Sequence, residues 1–255
     1  MLPLIIGHRG ASRFAPENTL AAFRLALEVG ADGVEFDVRL TRDGVPIIIH
    51  DDNLKRTGAT PSLVADLSLT ELQQIDVGSW FRTGGFASER VPTLEQLFEL
   101  YGSTNSLLYL EMKPDPGERE RLAQACVEKV NTSSLKERII VECFDLSALS
   151  TLKSLDPSIR TAALFEPGIT KPPFVTSGQR LVDQALAVGA DEIALHHRLA
   201  TERVVKTAKN SGLTVVVWTV DEPTWIARAI SSGITALITN DPALMVSQRE
   251  QLASD

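Results

Sequence analysis

Leu107-Leu108-Tyr109-Leu110-Glu111-Met112 is apolar at every position but one. A short run without polar alternation suits a parallel strand buried on both faces. Runs of similar character recur at residues 4–7, 34–38, 139–143, 161–165, 192–195, 215–219 and 236–239. Amphipathic stretches at 19–29, 118–130, 179–188, 202–211 and 223–231 lie between them and read as helices. Gly30, Gly189, Gly212 and Gly233 follow four of these stretches, as glycine commonly does at helix C-termini. Strand–helix alternation implies a parallel α/β sheet, and eight strand runs match a closed TIM (β/α)8 barrel. A doubly wound open sheet is the alternative that the pattern alone leaves standing.

Two regions break the alternation. In Arg42-Asp43-Gly44-Val45 the Asp-Gly pair sits between apolar runs, which reads as a two-residue hairpin. With Arg42 facing Val45, the register places Asp37 opposite His50, and residues 47–50 form a ninth, antiparallel strand beside the second barrel run. The second region, 53–92, holds Gly58, Pro61, Gly78, Gly84 and Gly85 around one short helical piece near 69–75. It reads as a small inserted subdomain or lid within a single domain.

The 255 residues suffice for one large core, and 44% hydrophobic with 23% charged residues is ordinary for a globular chain. A net charge of −8 leaves no broad basic field for nucleic acid. An anionic substrate would therefore be held by a few local cations or a metal. No basic, apolar leader opens the chain and no run is long enough to span a bilayer. Two cysteines, Cys126 and Cys143, fit reduced thiols. A cytoplasmic protein is the expectation.

Polar residues gather at the ends of the strand runs, which in a barrel converge on one mouth. Glu35 and Asp37, spaced i, i+2, share one strand face, as do Glu111 and Lys113. Three converging carboxylates without thiolates make a hard site suited to Mg²⁺, Ca²⁺ or Mn²⁺. Each acid alone would read as an ion pair or a loop cap; three inside apolar strands are costly to bury unless something positive joins them. His8 and His50 offer an acid and a base near neutrality. Arg9 and Lys113 offer positive charge to phosphate oxygens. Glu17 either braces Arg9 or the metal site, or belongs to a plain helix cap in which Thr19 or Asn18 is the N-cap. Trp218 reads equally as a substrate wall or as core, and His196 and His197 as rim residues.

Taken in order, His8-Arg9-Gly10, Pro16-Glu17-Asn18-Thr19, Glu35-Phe36-Asp37-Val38, His50-Asp51, Glu89-Arg90-Val91-Pro92-Thr93-Leu94, Glu111-Met112-Lys113, Trp218-Thr219-Val220 and Thr239-Asn240-Asp241-Pro242 resemble the glycerophosphodiester phosphodiesterase family over nearly the whole chain. The resemblance implies a TIM barrel with a small insertion after His50-Asp51. It implies metal ligation by Glu35, Asp37 and Glu111, acid–base work by His8 and His50, and phosphate binding by Arg9 and Lys113. The implied reaction is hydrolysis of a glycerophosphodiester to sn-glycerol 3-phosphate and an alcohol. One departure is Cys143-Phe144, where the family often has Ser-Phe. It leaves Phe144 as a pocket wall and puts a hydroxyl contact at position 143 in doubt. The expected partner is the small-molecule substrate, with no nucleic acid and no transmembrane segment; a homo-oligomer is left open. Two rival readings stand beside this one: a lysophospholipid-directed relative, for which Trp80, Phe81 and Phe86 would supply an apolar approach, and a non-catalytic binding barrel.

Overall fold

A computed structural model describes residues 1–81, 84–168 and 178–254. Among these, eight parallel strands form the barrel: β1 (Leu4–His8), β2 (Gly33–Leu40), β4 (Leu107–Met112), β5 (Ile139–Cys143), β6 (Arg160–Phe165), β7 (Glu192–His196), β8 (Thr214–Trp218) and β9 (Ala236–Thr239). Each pairs with its neighbour, and β1 pairs with both β9 and β2, which closes the ring. The open doubly wound sheet is thereby set aside. β3 (Pro46–Ile48) adds antiparallel to β2. The helices are α1 (Leu20–Glu28), α2 (Leu69–Leu72), α3 (Leu94–Tyr101), α4 (Arg119–Thr132), α5 (Leu146–Leu155), α6 (Gly178–Ala187), α7 (Glu202–Asn210), α8 (Thr224–Ser232) and α9 (Pro242–Ser254).

Two hydrophobic layers follow from the pleat. Along β2, Val34, Phe36 and Val38 point outward and join the core beneath the helices, with Phe23, Leu110 and Val141. The alternate positions, Glu35 and Asp37, therefore face the barrel axis. The interior is filled below them by Ile6, Tyr109, Ile140, Ala162, Ala194, Val216 and Ala236. Near the strands' N-terminal ends the Tyr109 hydroxyl donates to Glu192 Oε2 at 3.0 Å, and Arg160 Nη2 donates to its Oε1 at 2.6 Å. Glu192 is thus a buried acid used to close the end away from the mouth.

The hairpin differs from its expected form by one residue. β2 and β3 pair Val38 with Ile48 and Leu40 with Pro46, and Asp37 accepts from Ile49 N, so Asp37 faces Ile49 rather than His50. The cause is local. The Asp43 carboxylate accepts from the Thr41 hydroxyl at 2.6 Å and from Leu69 N at 3.1 Å. Val45 N bonds the Thr41 hydroxyl, which leaves a three-residue loop with Gly44 at φ +81°. His50 falls just past β3 and still reaches the mouth.

Between β3 and α3 the chain forms a 3-10 turn (Val64–Asp66) and α2, over a small core of Ile47, Ile49, Leu54, Val64, Leu72, Val77 and Val91. Trp80, Phe81 and Phe86 stack edge-to-face on one another, half-buried. Helix α3 starts at a capping box in which Thr93 accepts from Gln96 N and Gln96 Oε1 accepts from Thr93 N. Such a cap typically contributes about 1 kcal/mol.

Candidate active site

The chain leaves β1 in a sharp turn that sets three residues at once. Arg9 sits in the left-handed region at φ +56°, and Gly10 follows at φ +85°. A Cβ on Gly10 would lie 2.6 Å from the Ala22 backbone, so no side chain fits there. The turn aims His8 into the mouth. His8 Nδ1 lies 2.7 Å from Asn240 Oδ1, and Asn240 Nδ2 donates to Asp221 Oδ2 at 2.9 Å. Asp221 thus fixes the amide orientation, so the oxygen faces His8 and Nδ1 carries the ring proton. Nε2 is left free, 3.8 Å from Glu35 Oε2. Burial, then the nearby Arg9 charge, pushes His8 down to about 4, so the ring is neutral at physiological pH.

Glu35, Asp37 and Glu111 come together as their strands require. Asp37 on β2 stands directly beside Glu111 on β4. All three side chains are buried, and one oxygen from each lies within 4.8 Å of the others. Arg9 Nε approaches Asp37 Oδ2 at 3.1 Å, and Lys113 Nζ lies 2.8 Å from Glu111 Oε1 and 3.3 Å from Asp37 Oδ1. Asn18, itself at φ +58°, donates Nδ2 to Asp37 Oδ2 at 2.8 Å. Burial works against ionising Asp37, but Arg9 and Lys113 outweigh it and hold its carboxyl well below the usual range. Burial and the Asp37 charge push Glu111 up to about 8. Burial, with Asp37 and Glu111, drives Glu35 well above the carboxylate range.

His50 enters from the other side. Its Nδ1 lies 2.7 Å from Asp51 Oδ1, and its carbonyl accepts from Arg39 Nε at 2.8 Å. Burial first, then Arg9 and Lys113, lower its pKa against the pull of Asp37 and Asp51. Glu17 does brace Arg9, accepting from Nη1 at 2.8 Å, and the Thr19 hydroxyl caps α1. Both readings of that motif therefore hold, on different residues.

A cavity of about 290 Å³ opens at this mouth, and His8, Arg9, Glu35, His50, Glu111 and Lys113 all line it. Phe144 and Trp218 form a wall, in edge contact at 5.5 Å between ring centres, and Lys113 Nζ lies 5.7 Å from the Phe144 ring centre. Trp218 is thus a cavity residue. His196 packs against its edge at 5.1 Å and stacks on His197 at the rim. Cys143 points away from the cavity into the outer core, where its thiol donates to Met112 O, and both cysteines are free.

Three features escaped the sequence reading. Glu142 on β5 stands beside Glu111, lines the cavity floor, is 1% exposed, and its Oε2 has no hydrogen-bond partner. Burial, then Glu35 and Glu111, pushes it well above the carboxylate range. Its signal was available: it is an acid inside the apolar run Ile139-Ile140-Val141-Glu142-Cys143, as Glu111 is in its own. Asn240 stands in the Thr239-Asn240-Asp241-Pro242 stretch of the resemblance, but nothing there points to its bond with His8, and Asp221, which holds it, had no signal. Nor did Arg56, which bonds Asp51 and Glu17 together.

Three buried acids thus gather with two cations, and a fourth, Glu142, stands beside Glu111. The trio of hard oxygen donors, with Asp37 Oδ1 lacking a hydrogen bond, fits a divalent cation of the Mg²⁺, Ca²⁺ or Mn²⁺ kind. The model of the glycerophosphoryl diester phosphodiesterase family matches residues 8–244. The chain belongs to that family. A glycerophosphodiester phosphodiesterase of Caldanaerobacter subterraneus subsp. tengcongensis is 34% identical over 250 residues, covering 96% of this chain and 97% of the relative. Among solved structures, an Oleispira antarctica phosphodiesterase in complex with the product sn-glycerol 3-phosphate superposes with a TM-score of 0.87 at 30% identity, over 98% of this chain and 97% of that one. A glycerophosphodiester phosphodiesterase from Agrobacterium tumefaciens superposes with a TM-score of 0.79 at 26% identity, over 96% and 100%. Among the described residues, no helix is long and apolar enough to cross a membrane.

Proposed function

We propose that this member of the phosphodiesterase family hydrolyses glycerophosphodiesters to sn-glycerol 3-phosphate and an alcohol, in a divalent-cation-dependent reaction. The observation that carries the reading is the convergence of His8, His50, Arg9, Lys113 and the carboxylate trio on one cavity. A cation held by Glu35, Asp37 and Glu111 would withdraw charge from the phosphoryl group. Arg9 and Lys113 face the same space and hold the non-bridging phosphate oxygens.

The two histidines divide the proton transfers by what stands behind them. An amide oxygen backs His8, so its neutral ring presents a free Nε2 that takes the proton of the attacking hydroxyl. A carboxylate backs His50 and works against the burial that lowers its pKa, favouring the imidazolium that protonates the departing alkoxide. Phe144 and Trp218 shield one side of the cavity from water. The segment 53–92 belongs to the same single domain as an inserted subdomain, tied to the mouth from behind where Arg56 bonds Asp51 and Glu17.

The test is release of sn-glycerol 3-phosphate from glycerophosphocholine, glycerophosphoethanolamine and glycerophosphoglycerol, with Mg²⁺, Ca²⁺ or Mn²⁺ and with chelator. Turnover of at least one diester with a cation, lost on chelation, is expected. Binding without turnover under every cation would overturn the reading in favour of a non-catalytic barrel. Faster turnover of a lysophospholipid would move the substrate class to the lysophospholipid-directed relatives.

A further inference from the structure

Arg56 lies in the segment between β3 and α3, outside every strand end that builds the mouth. Its guanidinium nevertheless spends all three nitrogens on two carboxylates. Nε donates to Asp51 Oδ2 at 2.8 Å, Nη1 to Glu17 Oε2 at 2.7 Å and Nη2 to Glu17 Oε1 at 2.8 Å. The Trp80 ring packs against it, 5.6 Å from guanidinium carbon to ring centre. Behind the first carboxylate stands His50, and behind the second stands Arg9.

We propose that Arg56 is a positioning residue of the hydrolysis, one that ties the acid–base histidine His50 to the phosphate-binding Arg9 through Asp51 and Glu17. The inference rests on the function proposed above. A single exposed ion pair is worth little, about 0–1 kcal/mol. This arrangement differs because one planar fork engages two carboxylates at once, a geometry that an ammonium cannot reproduce. Without it, Asp51 and Glu17 regain rotamer freedom, and the separation between His50 and Arg9 is no longer fixed. Loss of a group that orients site residues from behind typically costs about 10- to 100-fold in activity.

The experiment measures kcat and KM on glycerophosphocholine with saturating cation for Arg56→Ala, Arg56→Lys, Glu17→Gln, Asp51→Asn and the Glu17→Gln/Asp51→Asn pair. Glu17→Gln should act mainly on KM, because it loosens Arg9. Asp51→Asn should act mainly on kcat, because it loosens His50. Arg56→Ala should lower kcat and raise KM together, with a combined loss of about 10- to 100-fold. Added guanidinium ion should restore part of that loss. On the paired background Arg56→Ala should cost no more than about twofold further, since its partners are already gone. Arg56→Ala within about twofold of the parent, or an undiminished effect on the paired background, would overturn the inference. If Arg56→Ala fails to fold, Arg56→Lys decides: a loss in both constants supports the positioning role, and parent-like constants refute it. Should the parent itself release no glycerol phosphate, the functional reading fails instead, and the two failures are thereby distinguished.

Discussion

Removing divalent cations should make the protein's stability fall as pH rises from 6.5 to 8, and restoring them should cancel the fall. Glu35, Asp37 and Glu111 present oxygens within 4.8 Å of one another. At an effective dielectric near 20, two carboxylates at that separation repel by roughly 3 kcal/mol. Burial first, and this repulsion second, make the cation-free site keep protons: Glu111 is pushed up to about 8 and Glu35 well above its usual range. The unfolded chain releases those protons near pH 4.5, so between that pH and about 8 the folded state binds more protons, and stability declines with rising pH. His8, lowered to about 4, and His50, also lowered, work the other way, an effect that fades as pH rises past the unfolded value of 6.5. Asp37 is held low and changes charge well below this window. From pH 6.5 to 8 the raised acids Glu35, Glu111 and Glu142 outweigh the fading histidine contribution and set the sign. Glu111 by itself accounts for up to about 2 kcal/mol at 1.36 kcal/mol per pH unit. For a chain of this size that is roughly 4–8 °C in melting temperature. A cation at about 100 times its dissociation constant adds about 2.7 kcal/mol and flattens the slope. Thermal melts at pH 6.5, 7.2 and 8.0, with chelator and with Mg²⁺, Ca²⁺ or Mn²⁺, measure both effects. Glu111→Gln should lower the slope, leaving the part due to Glu35 and Glu142, and weaken the cation response. A flat chelated profile, or a cation response unchanged in Glu111→Gln, would refute the reasoning.

Other perturbations have equally definite outcomes. His8→Ala and His50→Ala should each lower kcat at least ~100-fold with fold retained by circular dichroism, as for loss of a general acid or base; near-parent turnover in either would remove that residue from the chemistry. Gly10→Ala forces a Cβ to 2.6 Å from the Ala22 backbone at φ +85°, so this variant should express poorly or melt well below the parent. Parent-like melting would show that the β1 turn relaxes freely. Glu142→Gln keeps the shape of a carboxyl that the site holds neutral, so in chelator it should melt no lower than the parent at pH 8. A marked loss would mean that Glu142 is charged and paired.

The barrel was legible because its strands are short, apolar and separated by helices with glycine stops. The acids were legible because Glu35, Asp37 and Glu111 interrupt such strands at positions that pleating turns inward. Glu142 follows the same rule, one residue before Cys143-Phe144, where the sequence departs from Ser-Phe. The β2–β3 register depended on contacts that no dipeptide signals: Asp43 is held by Thr41 and by Leu69, 26 residues away. Helices α3, α5 and α9 were not read, although the Thr93–Gln96 box marks the start of α3. The groups behind the site, Asn240 behind His8 and Arg56 between Asp51 and Glu17, act across 232, 39 and 5 residues of sequence. Only the closed barrel brings the longest of these contacts together.

The proposed function places one divalent ion among three acids from two strands, beside two histidines. Anomalous diffraction from crystals grown with Mn²⁺ tests it directly. One peak within roughly 2.0–2.6 Å of carboxylate oxygens from Glu35, Asp37 and Glu111 together is the expected result. A peak bonded to only one of them, or ordered Mn²⁺ elsewhere with none at the trio, would contradict the account.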